Sequence, residues 1–185
     1  MALTKTPVCN FGKKAEDFKL KSIENKIISL NDVKGEKATL VMFICNHCPY
    51  VKAIIKDLAK DCNQLKKDGI NSVAIMSNDT KNYPEDSFDN MIKFAKANNF
   101  GEINYLIDET QDIAKKYGAV CTPDFFGYNK DLKLLYRGRF RELKDLKPTS
   151  GGDSDLKVAM KMISETQAGP KEQIPSMGCN IKWFN

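Results

Sequence analysis

Cys45 and Cys48 are separated by Asn46 and His47 in a chain of 185 residues, and Pro49 follows directly. Two cysteines at this spacing form either a dithiol redox pair or half of a zinc site. The flanking sequence favours redox chemistry. An apolar run, Ala38-Thr39-Leu40-Val41-Met42-Phe43-Ile44, precedes the pair, and a helix pattern begins near Tyr50. With Asn46 as the N-cap, His47, Cys48 and Pro49 occupy the first helical turn, where a proline costs little because its missing N–H had no intrahelical partner. The unpaired N–H groups and the positive end of the helix dipole then point at the Cys45 sulfur and favour its thiolate. A cationic His47 lowers the Cys45 pKa further. Thiols in such motifs titrate from about 3.5 to about 7.5, against about 8.5 for a free thiol. Cys45 is therefore the expected nucleophile, and Cys48, one helical step further in, the resolving thiol. The bland alternative is two small core residues that happen to be close. A zinc site needs four ligands, yet Cys9, Cys62, Cys121 and Cys179 supply no second CxxC and His47 is the single histidine.

The elements that must hold this pair are legible on both sides. The run 38–44 does not alternate with polar residues, so both of its faces should be buried in the interior of a parallel or mixed sheet. After the motif, Val51, Ile54, Ile55, Leu58, Ala59, Cys62 and Leu65 recur at helical steps between lysines, and Lys67-Asp68-Gly69 ends the helix. Cys62 lies on that apolar stripe and reads as core. Upstream, Phe18–Leu20 and Ile27–Leu30 flank Glu24-Asn25 as a hairpin, and 31–35 reads as a turn or a single helical turn. Downstream, Ile70–Ser77 is a second buried strand, and Pro84 to Ser87 opens a helix that buries Phe88, Met91, Ile92 and Ala95. Ile103–Ile107 is a third strand, followed by a small helix, Gln111–Tyr117. The alternation specifies an α/β fold with crossover connections. Phe125–Tyr128 and Leu132–Arg137 form an antiparallel hairpin across Asn129-Lys130-Asp131, residues 143–153 a surface loop, and Leu156, Ala159, Met160 and Ile163 a last helix. The tail 169–185 should lie on the body, because it carries Cys179, Ile181, Trp183 and Phe184.

Composition is that of one globular domain, with 42% hydrophobic and 29% charged residues. The net charge of +5 is spread along helix faces. The one dense basic cluster is Arg137, Arg139 and Arg141, of which Arg137 and Arg139 are expected to pair at the surface or else reach the site, so no nucleic-acid partner is expected. No run has the roughly 18 apolar residues of a membrane span, so no membrane partner is expected either. Residues 1–9 lack the order of a signal peptide, which points to a cytoplasmic chain whose CxxC is catalytic or metal-binding rather than a structural staple.

A CxxC leaving a central strand, a βαβ crossover and a Thr122-Pro123 step opening an antiparallel hairpin resemble the thioredoxin fold. The segments 15–20, 29–35 and the central strand resemble the alkyl hydroperoxide reductase/thiol-specific antioxidant branch of that superfamily. The blocks 43–51, 108–111, 121–126 and 178–183 are similar to a bacterial subgroup of thioredoxin family proteins carrying the CNHCP motif. The resemblance spans nearly the whole chain and implies a single thioredoxin-like domain over 1–185, with a central mixed sheet, flanking helices and an N-terminal β-hairpin extension over 1–37. It makes Cys45 and Cys48 the redox pair, Pro123 a cis-proline facing them, and the Thr122 backbone a hydrogen-bonding edge for an extended substrate. Cys121, two residues before Pro123, would lie near the pair as a third redox thiol, a metal ligand or a buried spectator, and Cys179 could approach the same place if the tail folds back. One departure stands out: where peroxiredoxins carry a threonine three residues before the peroxide-reacting cysteine, this chain has Cys45.

The expected function is therefore thiol–disulfide oxidoreductase. A protein or small-molecule disulfide is the substrate, an external thiol system the reductant, and no organic cofactor or resident metal is implied. The alternatives are a thiol-dependent peroxidase taking peroxide at the same cysteines, and a non-enzymatic module holding zinc or copper(I) through Cys45, Cys48 and Cys121.

Overall fold

The computed structural model describes residues 3–7 and 9–184, so the ends of the expected 1–185 domain lie outside the described residues. In chain order the elements are β1 (Leu3–Lys5), β2 (Lys19–Ser22), β3 (Ile27–Ser29), α1 (Leu30–Val33), β4 (Ala38–Phe43), α2 (Pro49–Lys66), β5 (Ile70–Met76) and α3 (Phe88–Ala97). They continue with β6 (Asn104–Ile107), α4 (Asp112–Tyr117), β7 (Cys121–Thr122), β8 (Asp124–Asn129), β9 (Leu134–Tyr136), β10 (Leu143–Lys144), β11 (Lys147–Pro148), α5 (Asp155–Thr166) and β12 (Met177–Asn180).

The main sheet has seven strands in the order β3-β2-β6-β5-β4-β8-β9. β4 runs parallel to β5 and antiparallel to β8, and all its residues are buried, as its unalternated apolar sequence requires. Successive residues of each strand feed opposite faces. Leu40, Met42, Ala74, Met76 and Phe125 pack under α2, α3 and α5. Val41, Phe43, Val73, Ile75 and Phe126 pack under α1 and α4. The α2 stripe is buried from Val51 to Leu65, and each fully buried Leu or Ile there contributes about 1.5–3 kcal/mol.

Four expectations change. The N-terminal hairpin is no appendage: β2 pairs with β6, so it continues the main sheet and forms its edge. The turn that closes it puts Asn25 at φ 61°, a region asparagine tolerates better than most residues. Pro84–Asp86 forms a separate 3-10 turn before α3, and Ile92 is exposed rather than part of the buried face of that helix. Residues 143–148 are a small β10–β11 hairpin inside the expected loop. The tail does return to the body and buries Cys179 and Ile181, but Trp183 and Phe184 remain 38% and 44% exposed.

That return builds a second sheet, β1-β12-β7, in which Cys179 is the partner of Thr122 and Asn180 of Cys121. A Cβ at Gly178 would lie 2.0 Å from the Thr122 carbonyl oxygen, so only glycine lets β12 approach that closely.

Candidate active site

Pro49 decides the local geometry of the motif. The residue before a proline is pushed out of the helical region, and Cys48 accordingly sits at φ −63°, ψ 124°, as the N-cap of α2 with Pro49 in its first turn. The cap expected at Asn46 is therefore at Cys48, and the electropositive mouth of the helix falls on the second sulfur instead of the first.

The two thiols are polarised accordingly. Cys48 is pulled down to about 5, first by the adjacent Cys45 thiol, then by the Cys179 thiol and by the backbone N–H groups of Val51 and Cys179, all against the cost of burial. Cys48 Sγ also lies 3.1 Å from the Thr122 carbonyl oxygen, a contact that favours its protonated form and is outweighed by these donors. Cys45 moves the other way. Its interaction with Cys48 holds its proton, and burial and the Asp86 charge add to that, opposed by the Thr122 hydroxyl 3.3 Å away. These directions favour the thiolate on Cys48, where Cys45 was the expected nucleophile.

His47 is held first by Asp86 rather than by Cys45. Its Nδ1 lies 2.7 Å from Asp86 Oδ2, and that hydrogen bond raises its pKa. The ring stacks on Tyr83 at 5.7 Å. Asp86 is buried; burial raises its pKa, but His47, Asn78 and the Asn46 N–H hold it below the usual carboxylate value. Asn46 braces the loop in place of capping the helix. Its N–H donates to Asp86, its Nδ2 to the Glu85 carbonyl at 3.1 Å, and its Oδ1 accepts from the buried Tyr105 hydroxyl at 2.9 Å. The Cys45 sulfur, a His47 ring nitrogen and an Asp86 oxygen lie within 4.8 Å of one another. Because two of those atoms already bind each other, the trio is a charge network and a poor open coordination set.

The Thr122–Pro123 bond is cis and faces the pair. The Thr122 backbone edge, expected to receive an extended substrate, is taken by β12 of the chain itself. Cys121 turns its sulfur to the Pro123 carbonyl oxygen at 3.6 Å, and burial pushes its pKa up. The sulfur that reaches the pair is Cys179, 3.0 Å from Cys48 Sγ. Arg137 is not at the surface. It is buried on the α4 face of the sheet against Asp124 at 2.9 Å, while Arg139 pairs with Asp155 and borders an open cleft of about 420 Å³. Pro123, Tyr50 and Phe140 also line that cleft.

Sequence reading missed Asp86 and Tyr105 as parts of this site, and reached Cys179 only on the condition that the tail folds back, which it does. Asp86 had a weak signal, an acid in a polar loop leaving the strand beside the motif; Tyr105 had none, since it lies in a strand remote in sequence.

The profile of the AhpC/TSA family matches residues 11–137. No curated protein matches the chain. Among solved structures, an uncharacterized conserved protein from Geobacillus kaustophilus is 40% identical, with a TM-score of 0.89 over 100% of this chain and 97% of that one. A hypothetical protein from Sinorhizobium meliloti 1021 is 37% identical, with a TM-score of 0.90 over 98% of each chain. The thioredoxin domain of a thiol-disulfide oxidoreductase from Bacteroides vulgatus shares the fold at 20% identity and a TM-score of 0.59, over 70% of this chain and 89% of that one. Among the described residues no helix is long and apolar enough to cross a membrane.

Proposed function

This chain belongs to the AhpC/TSA family, and from that premise we propose that it is a thiol–disulfide oxidoreductase working through Cys45 and Cys48. The observation that carries this reading is the placement of Cys48 at the start of α2, where donors from three sides favour its thiolate. That thiolate attacks one sulfur of a substrate disulfide and expels the other as a thiolate, leaving a mixed disulfide on Cys48. Cys45, once deprotonated, attacks the Cys48 sulfur, releases the reduced substrate and closes the Cys45–Cys48 disulfide. An external thiol reductant restores the dithiol. Pro123 and the cleft beside it position the substrate, and Asn46, His47 and Asp86 hold the loop that carries both sulfurs.

One observation favours a second reading, thiol peroxidase. The ionised cysteine is the one preceding proline at the helix start, and both sulfurs are buried, which suits a slim oxidant better than a bulky one. Stopped-flow oxidation of the reduced protein by oxidised glutathione and by hydrogen peroxide separates the two. Disulfide reductase action requires the disulfide to react faster and the protein to turn over with a dithiol. Faster consumption of peroxide makes it a peroxidase, and inertness to both removes the dithiol mechanism.

A further inference from the structure

The mechanism above uses two thiols, but three sulfurs meet at the mouth of α2. The third arrives on β12 and is held there by backbone pairing on both flanks. Thr6 N–H donates to the Ser176 carbonyl, and the Ser176 hydroxyl donates to the Pro123 carbonyl at 2.7 Å. Ile181 N–H donates to the Val120 carbonyl, and Lys182 N–H to Asn78 Oδ1 at 2.9 Å. Gly178 permits the close approach, and Cys179 Sγ ends 3.0 Å from Cys48 Sγ. A disulfide needs about 2.05 Å, so the two sulfurs must close by roughly 1 Å. β12 thus lies along the Thr122 edge as an extended substrate strand would, and it presents a cysteine to the redox pair.

We propose that Cys179 is a third redox thiol, a second resolving residue that competes with Cys45 for the Cys48 sulfur and closes a Cys48–Cys179 disulfide. The proposal rests on the dithiol reading above and extends it. In the first step the Cys48 thiolate attacks a disulfide R–S–S–R′; the Cys48–SR bond forms, the S–S bond breaks, and R′S⁻ leaves and takes up a proton. In the second, Cys179 gives its proton to solvent and its thiolate attacks the Cys48 sulfur. The Cys48–Cys179 bond forms, and RS⁻ leaves and is protonated. The substrate gains two electrons, and the Cys48/Cys179 pair loses two. Cys45 can then attack Cys48 and expel the Cys179 thiolate, an exchange with no net electron change that delivers the Cys45–Cys48 disulfide to the external thiol reductant.

The order of events follows from charge. In the resting protein the Cys179 thiol is pushed up to about 12, by burial first and by the adjacent Cys48 second. Once Cys48 is part of a mixed disulfide, its negative charge is gone and the Cys179 thiolate becomes easier to form. Substrate capture itself therefore arms the third thiol.

The test is to oxidise the full-length reduced chain with oxidised glutathione in Cys45→Ser and Cys45→Ser/Cys179→Ser variants, with Cys45→Ala as a second background should the buried serine impair folding. Non-reducing peptide mapping by mass spectrometry reads the products. The single variant is expected to release a second glutathione and join the peptides bearing Cys48 and Cys179. The double variant is expected to hold its Cys48–glutathione adduct at least about a hundredfold longer, the usual advantage of an oriented intramolecular nucleophile. A Cys48 adduct that persists equally in both variants overturns this inference and leaves the dithiol reading intact. No adduct in the variants together with an inert wild type overturns both.

Discussion

Cys48 and Cys62 stand at the first and last thirds of one helix, 0% and 2% exposed, and their thiols are driven in opposite directions. Burial pushes Cys62 up to about 12, whereas Cys48 is brought down to about 5 against a burial penalty of its own. Depth in the core is common to both, so it cannot be the cause of reactivity. What differs is the set of donors: Cys48 has two neighbouring thiols and two backbone N–H groups, and Cys62 lies on a closed apolar stripe beside Asp61. An ionised buried cysteine is made by the ends of elements, where backbone N–H groups have no partner of their own.

The hardest test of this contrast is to delete each sulfur. Cys48→Ser is expected to abolish disulfide reduction, a loss of more than about a thousandfold in kcat/KM, because no other thiolate takes its place. Cys62→Ala should leave kcat/KM within about twofold and cost about 1 kcal/mol in denaturant unfolding, the ordinary penalty of a small core truncation. Equal losses of activity would erase the distinction between the two ends.

The charge network comes next in size. Asp86→Ala strands His47, Asn78 Nδ2 and the Asn46 N–H, and breaking a buried pair in this way costs about 3–5 kcal/mol. Its pH dependence has a definite sign. The raised His47 contributes fully below its unfolded value of 6.5 and loses its contribution as pH rises through its folded value. The lowered Asp86 contributes fully above 3.8 and loses it as pH falls through its folded value. The wild-type advantage over Asp86→Ala should therefore be greatest between pH 3.8 and 6.5 and fall away on both sides, and a difference that stays the same well below and well above that range would remove the pair from the account.

Gly178→Ala places a Cβ against the Thr122 carbonyl oxygen and should cost about 1–3 kcal/mol as β12 shifts away. It should also slow formation of any disulfide to Cys179 while leaving Cys62 unaffected.

The smallest expected effect is spectroscopic and does not disturb the fold. Thiolate absorbance of the reduced protein should show one transition near pH 5, absent in Cys48→Ser and retained in Cys62→Ala. The folded value lies below the ordinary 9.0, so this thiolate stabilises the fold of the reduced protein fully above pH 9.0 and the gain is lost as pH falls through about 5. Absence of that transition would leave the two ends of the helix alike.

The order of strands and helices, the α2 stripe and the interior position of β4 were legible because each is a local periodicity of apolar residues. The N-cap was misplaced: Asn46 was the expected cap, whereas Pro49 pushes Cys48 out of the helical region and makes it the cap. The arrival of Cys179 was legible only on the condition that the tail folds back, and two features were not legible at all: the Asp86 partner of His47 and the Tyr105 brace on Asn46. Each joins residues dozens of positions apart, and no local pattern records such a pairing.

The sequence alone determined that a thiol pair would leave a buried strand at the start of an amphipathic helix, because β-propensity, helical spacing and proline chemistry act over a few neighbouring residues. Which third thiol stands beside the pair was decided only when the tail folded back along the Thr122 edge. Ionisation in a core depends on the donors that surround an atom in space, and those donors come from Val51, Cys45 and Cys179 together.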